Sequence, residues 1–463
     1  MPKEKEMYDL IIVGAGSGGC ATAKVAAEQG LKVLLIDRRK KADIGDKLTF
    51  DTIPVYAFEA LDIPVPEGDE LDMRMLKLKV FSPNRKHSFE ADLDGYLAHR
   101  HLLGQRLLKY ALDAGCTLLA ETEVIDPLID KDFIVGVRCR TPKDSMQEYR
   151  SRVVVDASGF FAVVRDKLPH TVYHKEGMIP EDTVLCYREV RDLTGSSDYI
   201  PPNDYPGWYC TLENRGYFWI VPEDKDKTNI GCGIPKYPGY PNPEKVTLDF
   251  CKAHPDKIGD KVYAKGTGPT PNLPMRPCQP ELVGNGFMLV GDAGYQVSTN
   301  SGFGVPGSVI AGKIAANVAA AAIKRGDVDR KGLWEYNVQY KRGFGSVRPF
   351  ADAIRIFVQN LSHEEIDALI QTGLMGSKEF SALWSDRTFD YTVQERIAKF
   401  MSSKRHLGLF IKVSVVFLIA KRLEKLYKNF PFAIDDFNAW MLKRTFLYAL
   451  LFKSLGLKRG IAA

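Results

Sequence analysis

The sequence predicts an α/β fold: a parallel-sheet domain assembled from two distant segments, an inserted antiparallel β-sheet domain, and a C-terminal helical region. Three observations predict it. The stretch "IIVGAGSGGCATAKVAAEQGLKVLLID", Ile11 to Asp37, sets glycines between two apolar runs. A second glycine-bearing segment, "GFMLVGDAGYQVSTNSGFGVPGSVIAGKIAANVAAAA", lies far downstream. Between them, the chain is dense in Pro and aromatic residues and carries hairpin patterning.

The first run, "DLIIVGAG", is short and continuously apolar, as a strand buried on both faces requires. Gly14, Gly16 and Gly19 follow with the spacing GxGxxG. The first permits a tight turn, the second lets the backbone approach a pyrophosphate, and the third allows close helix packing. The helix predicted over Cys20–Gln29 would direct unpaired N–H groups at phosphates. A second strand, "KVLLID", ends in Asp37, about 20 residues after the glycines, where a carboxylate accepts ribose hydroxyls. An adenine dinucleotide is expected here, on a Rossmann-like domain.

The downstream segment selects the dinucleotide. "FMLVGDA" reads as a strand ending in Gly291-Asp292, followed by a polar loop through Gly302 and Gly304 and a helix from about Pro306 to Lys324. Asp292 would accept from a ribityl hydroxyl. The helix start would face a flavin pyrimidine and stabilise negative charge on it. Paired with the N-terminal GxGxxG, this pattern points to FAD bound by both ends of the sequence. "VVVDASGFFAVVR", Val153 to Arg165, fits as a strand and turn of the same domain. The expected domains are 1–170 with 281–330 (FAD-binding), 171–280 (antiparallel, shaping the substrate pocket) and 331–463 (helical). In the second of these, "RGYFWIVPEDKDKTNIGCGI" signals a hairpin.

Composition excludes several classes. A net charge of +5 over 463 residues makes no case for nucleic acid. Eight Cys and eight His are scattered without metal-ligand spacing, so no metal is expected and buried thiols in a reducing compartment are. Charged "PKEKE" runs straight into the first strand, which reads as no removable leader and a cytoplasmic protein. "LGLFIKVSVVFLIA", Leu407 to Ala420, is too short to span a bilayer and carries Lys412 near its middle. From Met401 to Ala463 there are twelve Lys/Arg against three Asp/Glu. The basic, aromatic-rich segment 437–463 is expected either to touch the cytoplasmic face of the membrane or to dock on its own domain with lysines outward.

Together, Gly14-x-Gly16-x-x-Gly19, the turn Asp156–Gly159 and Gly291-Asp292 resemble the superfamily of FAD enzymes that includes p-hydroxybenzoate hydroxylase. Within it, "GYFWIVP" followed by "TNIGCGI" resembles the signature of the archaeal geranylgeranyl reductases, and "IGDKLTFDTIP" and "YREV" are similar to further motifs of that family. The resemblance implies an FAD enzyme that saturates C=C bonds of geranylgeranyl chains in archaeal ether lipids, by hydride transfer from reduced flavin. It implies FAD contacts at Gly14, Gly16, Ser17, Gly19, Asp37, Arg38, Lys47, Arg100, Val124, Asp292, Gly302, Gly304 and Val305. Tyr217, Trp219, Lys47 and Thr49 are the candidate catalytic residues, and Tyr217, Trp219, Val221 and Pro222 the candidate substrate contacts. This chain departs from the family at Thr49 (usually Cys) and the adjacent Phe50 (usually Gly), at Thr299 (usually Pro), and at Val221 (usually Phe). Partners implied are a prenylated glycerophospholipid and an external electron donor, ferredoxin or a reduced nicotinamide or deazaflavin, since no second GxGxxG indicates a built-in one. The rival readings are a flavin-dependent monooxygenase or halogenase, whose W-x-W-x-I-P run "YFWIVP" also approaches, and a flavin- or lipid-binding protein without catalysis.

Overall fold

The structure is a computed structural model and describes residues 7–46, 50–193, 207–211, 215–223, 226–237, 239–255, 258–265 and 272–458. The first sheet has eight strands. Its parallel core runs Phe287–Leu289, Met146–Asp156, Met7–Val13, Val33–Ile36, Thr117–Leu119. Leu10, Ile11 and Ile12 are wholly buried, which explains the unbroken apolar pattern of this strand. Val13 lies level with both Ile36 and Asp156, and Asp156 with Leu289. Gly14, Asp37, Ala157 and Val290 therefore leave the sheet at one carboxyl edge, where ligands of parallel α/β sheets bind.

Two helices cover this edge. Ser17–Glu28 and Val305–Arg325 pack face to face through small residues: a Cβ on Gly312 would stand 2.8 Å from the Gly18 carbonyl oxygen. Val305–Arg325 is long and apolar enough to cross a membrane, but most of it is buried within this domain.

The second sheet has nine strands and is antiparallel except where Gly207–Thr211 runs parallel to Leu71–Phe81. The expected hairpin forms, with Tyr217–Glu223 paired to Lys227–Pro235 in the register Trp219 to Gly231. The sheet also takes Phe50–Pro54, Leu71–Phe81 and Ser88–His99, from the stretch read as nucleotide-binding domain. Chain order suggested that boundary. Among the described residues these three strands pair within the antiparallel sheet and not with the parallel one.

Residues 335–454 form seven α-helices joined by short turns. They are fastened to the rest by buried ion pairs: Arg444 and Arg276 share the carboxylate of Glu176. The helix Phe437–Ser454 thus docks on its own domain through Arg444, Tyr448, Leu451 and Phe452. Cys20, Cys116, Cys139, Cys232, Cys251 and Cys278 are buried, and Cys186 is half-buried.

Candidate active site

The GxGxxG turn is built by contact. Gly14 has φ +100°, and a Cβ there would lie 2.5 Å from the Ala157 carbonyl oxygen. A Cβ on Gly19 would fall 1.8 Å from the Gly14 carbonyl oxygen, so the helix approaches as closely as glycine allows. Gly16 differs: it is exposed, and nothing lies within 4 Å of where its Cβ would be. That open space sits at a helix start with no side-chain cap and no acidic residue in its first turn, so its orphan N–H groups are unpaired by side chains. Asp37 receives the Ala15 and Arg39 N–H groups, each at 2.8 Å, and is fixed at the lip of the turn.

The downstream segment closes on the same edge. A Cβ on Gly304 would stand 3.4 Å from Asp292 Oδ1. The helix Val305–Arg325 starts at Gly304, again without a side-chain cap or first-turn acid. The Asp156 turn joins the two halves. Asp156 accepts from the N–H groups of Ser158, Val164 and Arg165, while Arg165 donates to the Ala293 carbonyl. Burial holds the Asp156 carboxyl above its ordinary value, and these hydrogen bonds offset only part of that rise. Two uncapped helix starts, a glycine cradle and a fixed carboxylate fit a bound FAD.

The antiparallel sheet supplies the other wall. Tyr217 donates its hydroxyl hydrogen to the Ser301 carbonyl at 3.0 Å, linking the hairpin to the glycine loop. Tyr217 and Trp219 have ring centroids 5.6 Å apart, and Trp219 Nε1 donates to Asn229 Oδ1 at 3.0 Å. Asn229 in turn donates to Glu223, whose carboxyl is pushed up to about 7, mainly by burial. Tyr217, Trp219 and Val221 alternate along one face and join an apolar cluster containing Met75, Leu97 and Trp384. Pro222 alternates onto the opposite face, with Phe218 and Ile220, and is not brought to this wall.

Other predicted residues are placed as follows. Arg100 begins the helix Arg100–Asp113 and pairs with Asp51 at 2.8 Å; Arg188 of "YREV" holds the second oxygen of that carboxylate. Arg38 is exposed, Ser17 half-buried, and Val305 buried at the start of its helix. Val124 is buried in the core of the parallel-sheet domain. Lys47 and Thr49 lie outside the described residues. Thr299 donates to the Arg348 carbonyl at 3.2 Å, a bond that a Pro could not make.

Sequence reasoning missed the contribution of the C-terminal helices. Trp384 meets Phe303 of the glycine loop edge-on, centroids 4.7 Å apart. Asp386 forms a buried ion pair with Arg348 and also receives Ser298 (2.9 Å) and Tyr56 (2.5 Å). No local motif marks these residues; only the fold brings them to the loop.

Two uncapped helix starts on one carboxyl edge, faced by an apolar sheet, suit FAD, and the relatives named as reductases make the class an FAD-dependent oxidoreductase. Residues 9–165 match the family described as FAD dependent oxidoreductase. More particularly, the resemblance to the geranylgeranyl reductases extends over almost the whole chain. It is 28% identical to digeranylgeranylglycerophospholipid reductase of Sulfolobus acidocaldarius, covering 94% of this chain and 95% of the relative. The second such reductase of Methanopyrus kandleri is 29% identical, covering 79% and 90%. Among solved structures, the geranylgeranyl bacteriochlorophyll reductase-like protein of Thermoplasma acidophilum superposes with a TM-score of 0.72 at 19% identity, over 89% of this chain and 99% of that one. A flavin-dependent brominase has the same fold, with a TM-score of 0.61 at 18% identity, over 88% and 100%.

Proposed function

We propose that this chain saturates isolated C=C bonds in the geranylgeranyl chains of a prenylated glycerophospholipid. The observation that carries the reading is the apolar wall of Tyr217, Trp219, Val221, Phe303 and Trp384 built directly onto the glycine loop that opens the second uncapped helix. The near full-length relatives named as reductases support it. When bound, FAD supplies the two electrons.

The protein's own part is positioning. No carbonyl polarises an isoprenoid alkene, so holding it flat and dry contributes much of the rate. Tyr217 and Trp219 form the wall, Trp219 being fixed by Asn229. Asp51, paired with Arg100 and Arg188, belongs to the strand that opens at Phe50; for Thr49 we propose a shaping role rather than proton donation, and for Lys47 the charge of the flavin or of a lipid head group. Burial pushes Cys186 up to about 12 and Cys116 up to about 11, which leaves neither thiol an efficient acid near neutral pH. We assign the alkene proton to water or a hydroxyl. Electrons arrive from an external donor, a ferredoxin or a reduced nicotinamide or deazaflavin.

The test is lipid mass spectrometry in a host that makes geranylgeranyl ethers, with and without this protein. A gain of two hydrogens per reduced bond is expected. An added oxygen or halogen would assign the site to the rival chemistry, and unchanged lipids to a non-catalytic binder.

A further inference from the structure

The C-terminal helices carry an apolar surface that the proposed reaction does not use. Along Leu407–Lys428 the large exposed residues are Leu407, Ile411, Val415 and Leu418, spaced so that they line one side of the helix. The opposite side, with Val416, Ile419 and Leu423, is fully buried against its neighbours, so this stripe is additional to a complete packing face. The preceding helix, Val393–Ser402, exposes Val393, Ile397, Phe400 and Met401. Phe400 meets Phe410 with centroids 5.4 Å apart, which joins the two stripes. Of the twenty large hydrophobic residues exposed among the described residues, eight stand on these two helices. A concentration of that kind marks an interaction surface.

Cations bound the stripe at both ends. Lys404 and Arg405 precede Leu407, and Arg422 and Lys425 continue the outward face one and two turns after Leu418. All four are exposed, and no described Asp or Glu lies within ion-pair distance of them. The lysines on the flanks are different: Lys412 pairs with Glu365, and Lys421 and Lys428 with Glu424.

We infer that this face docks on a bilayer carrying anionic head groups, the stripe entering the acyl boundary and the four cations meeting phosphates. Charge decides the occupant. A second copy of the chain would set the same cations against themselves, whereas an anionic lipid surface complements them. The tail helix Phe437–Ser454 adds only Leu442 and Phe446 to the exposed apolar surface, because its other side anchors it to the protein. The inference stands without the proposed substrate, and its test uses lipids that contain no isoprenoid.

Full-length flavin-loaded protein is sedimented with vesicles of phosphatidylglycerol and phosphatidylcholine. Wild type should bind, and the binding should weaken with salt. Ile411→Glu with Leu418→Glu should lower the partition coefficient by about tenfold or more. Exchanging Lys404, Arg405, Arg422 and Lys425 for Ala should cost roughly fivefold per cation on anionic vesicles. Met146→Glu, at an exposed apolar residue on the parallel-sheet domain, should change nothing. Retained flavin and an unchanged unfolding temperature establish that the variants fold. Wild type that fails to bind, or binding untouched by the double substitution, overturns the inference. A wild-type dimer that ignores vesicles and is split by the same substitutions assigns the face to a second copy instead.

Discussion

The Tyr217 hydroxyl donates to the Ser301 carbonyl oxygen at 3.0 Å, and this bond ties the hairpin of the antiparallel sheet to the glycine loop of the parallel-sheet domain. The phenolic hydrogen is thereby committed to a backbone oxygen rather than turned toward a substrate. Tyr217→Phe keeps the ring beside Trp219 and should cost roughly 0.5–1.5 kcal/mol of stability. Turnover should fall by less than about tenfold. Loss of a general acid costs ~10²–10⁴-fold, so a decrease of that size in single-turnover reduction would make Tyr217 the proton donor.

Gly16 separates binding from folding. Its Cβ position is open, whereas those of Gly14 and Gly19 are filled by backbone. Gly16→Val should therefore fold with an unchanged circular dichroism spectrum yet retain no FAD after gel filtration. A folded variant that keeps its full complement of flavin would contradict the placement of the pyrophosphate at this turn.

Asp386 is one point where the C-terminal region holds the glycine loop: it receives Ser298 while paired with Arg348. Asp386→Ala leaves the wholly buried Arg348 guanidinium without its counter-charge, a defect worth about 3–5 kcal/mol. Thermal unfolding should shift down sharply, and flavin should dissociate faster at temperatures where the variant is still folded. Tight flavin binding in a destabilised Asp386→Ala would mean that the loop is held by other contacts.

Glu223 gives a pH signature. Its carboxyl sits near 4.5 in the unfolded chain and is pushed up to about 7 in the fold, mainly by burial. Between these values the folded state holds a proton that the unfolded state lacks, so this contribution is complete below about 4.5 and is lost as pH rises through about 7. Glu223→Gln keeps an acceptor for Asn229 and removes the titration. The unfolding temperature of wild type relative to Glu223→Gln should decline across that window; parallel profiles would show that Glu223 does not titrate there.

How much of this was legible in the sequence follows from how local each feature is. The glycine turn, Asp37 and the Gly291-Asp292 loop are short-range geometry, and residue order carries it. The hairpin was equally plain, since two β-prone runs flank a charged turn. The strands between Phe50 and His99 could not be assigned to a sheet, because alternation along a strand does not name its partner. Trp384 and Asp386 were invisible for a related reason: they reach the loop only after the helices pack, and no spacing links them to residue 298 or 303. In the tail, composition signalled basic, apolar helices, but burial of Arg444 and exposure of Ile411 are decided by packing.

The account's central claim is tested most directly by anaerobic single turnover: enzyme with its flavin reduced, mixed with a geranylgeranyl glycerophospholipid, and followed by flavin absorbance and product mass. The account predicts flavin reoxidation without oxygen, with one C=C bond saturated per flavin oxidised. Flavin that stays reduced until oxygen is admitted, with no saturated lipid formed, would contradict it.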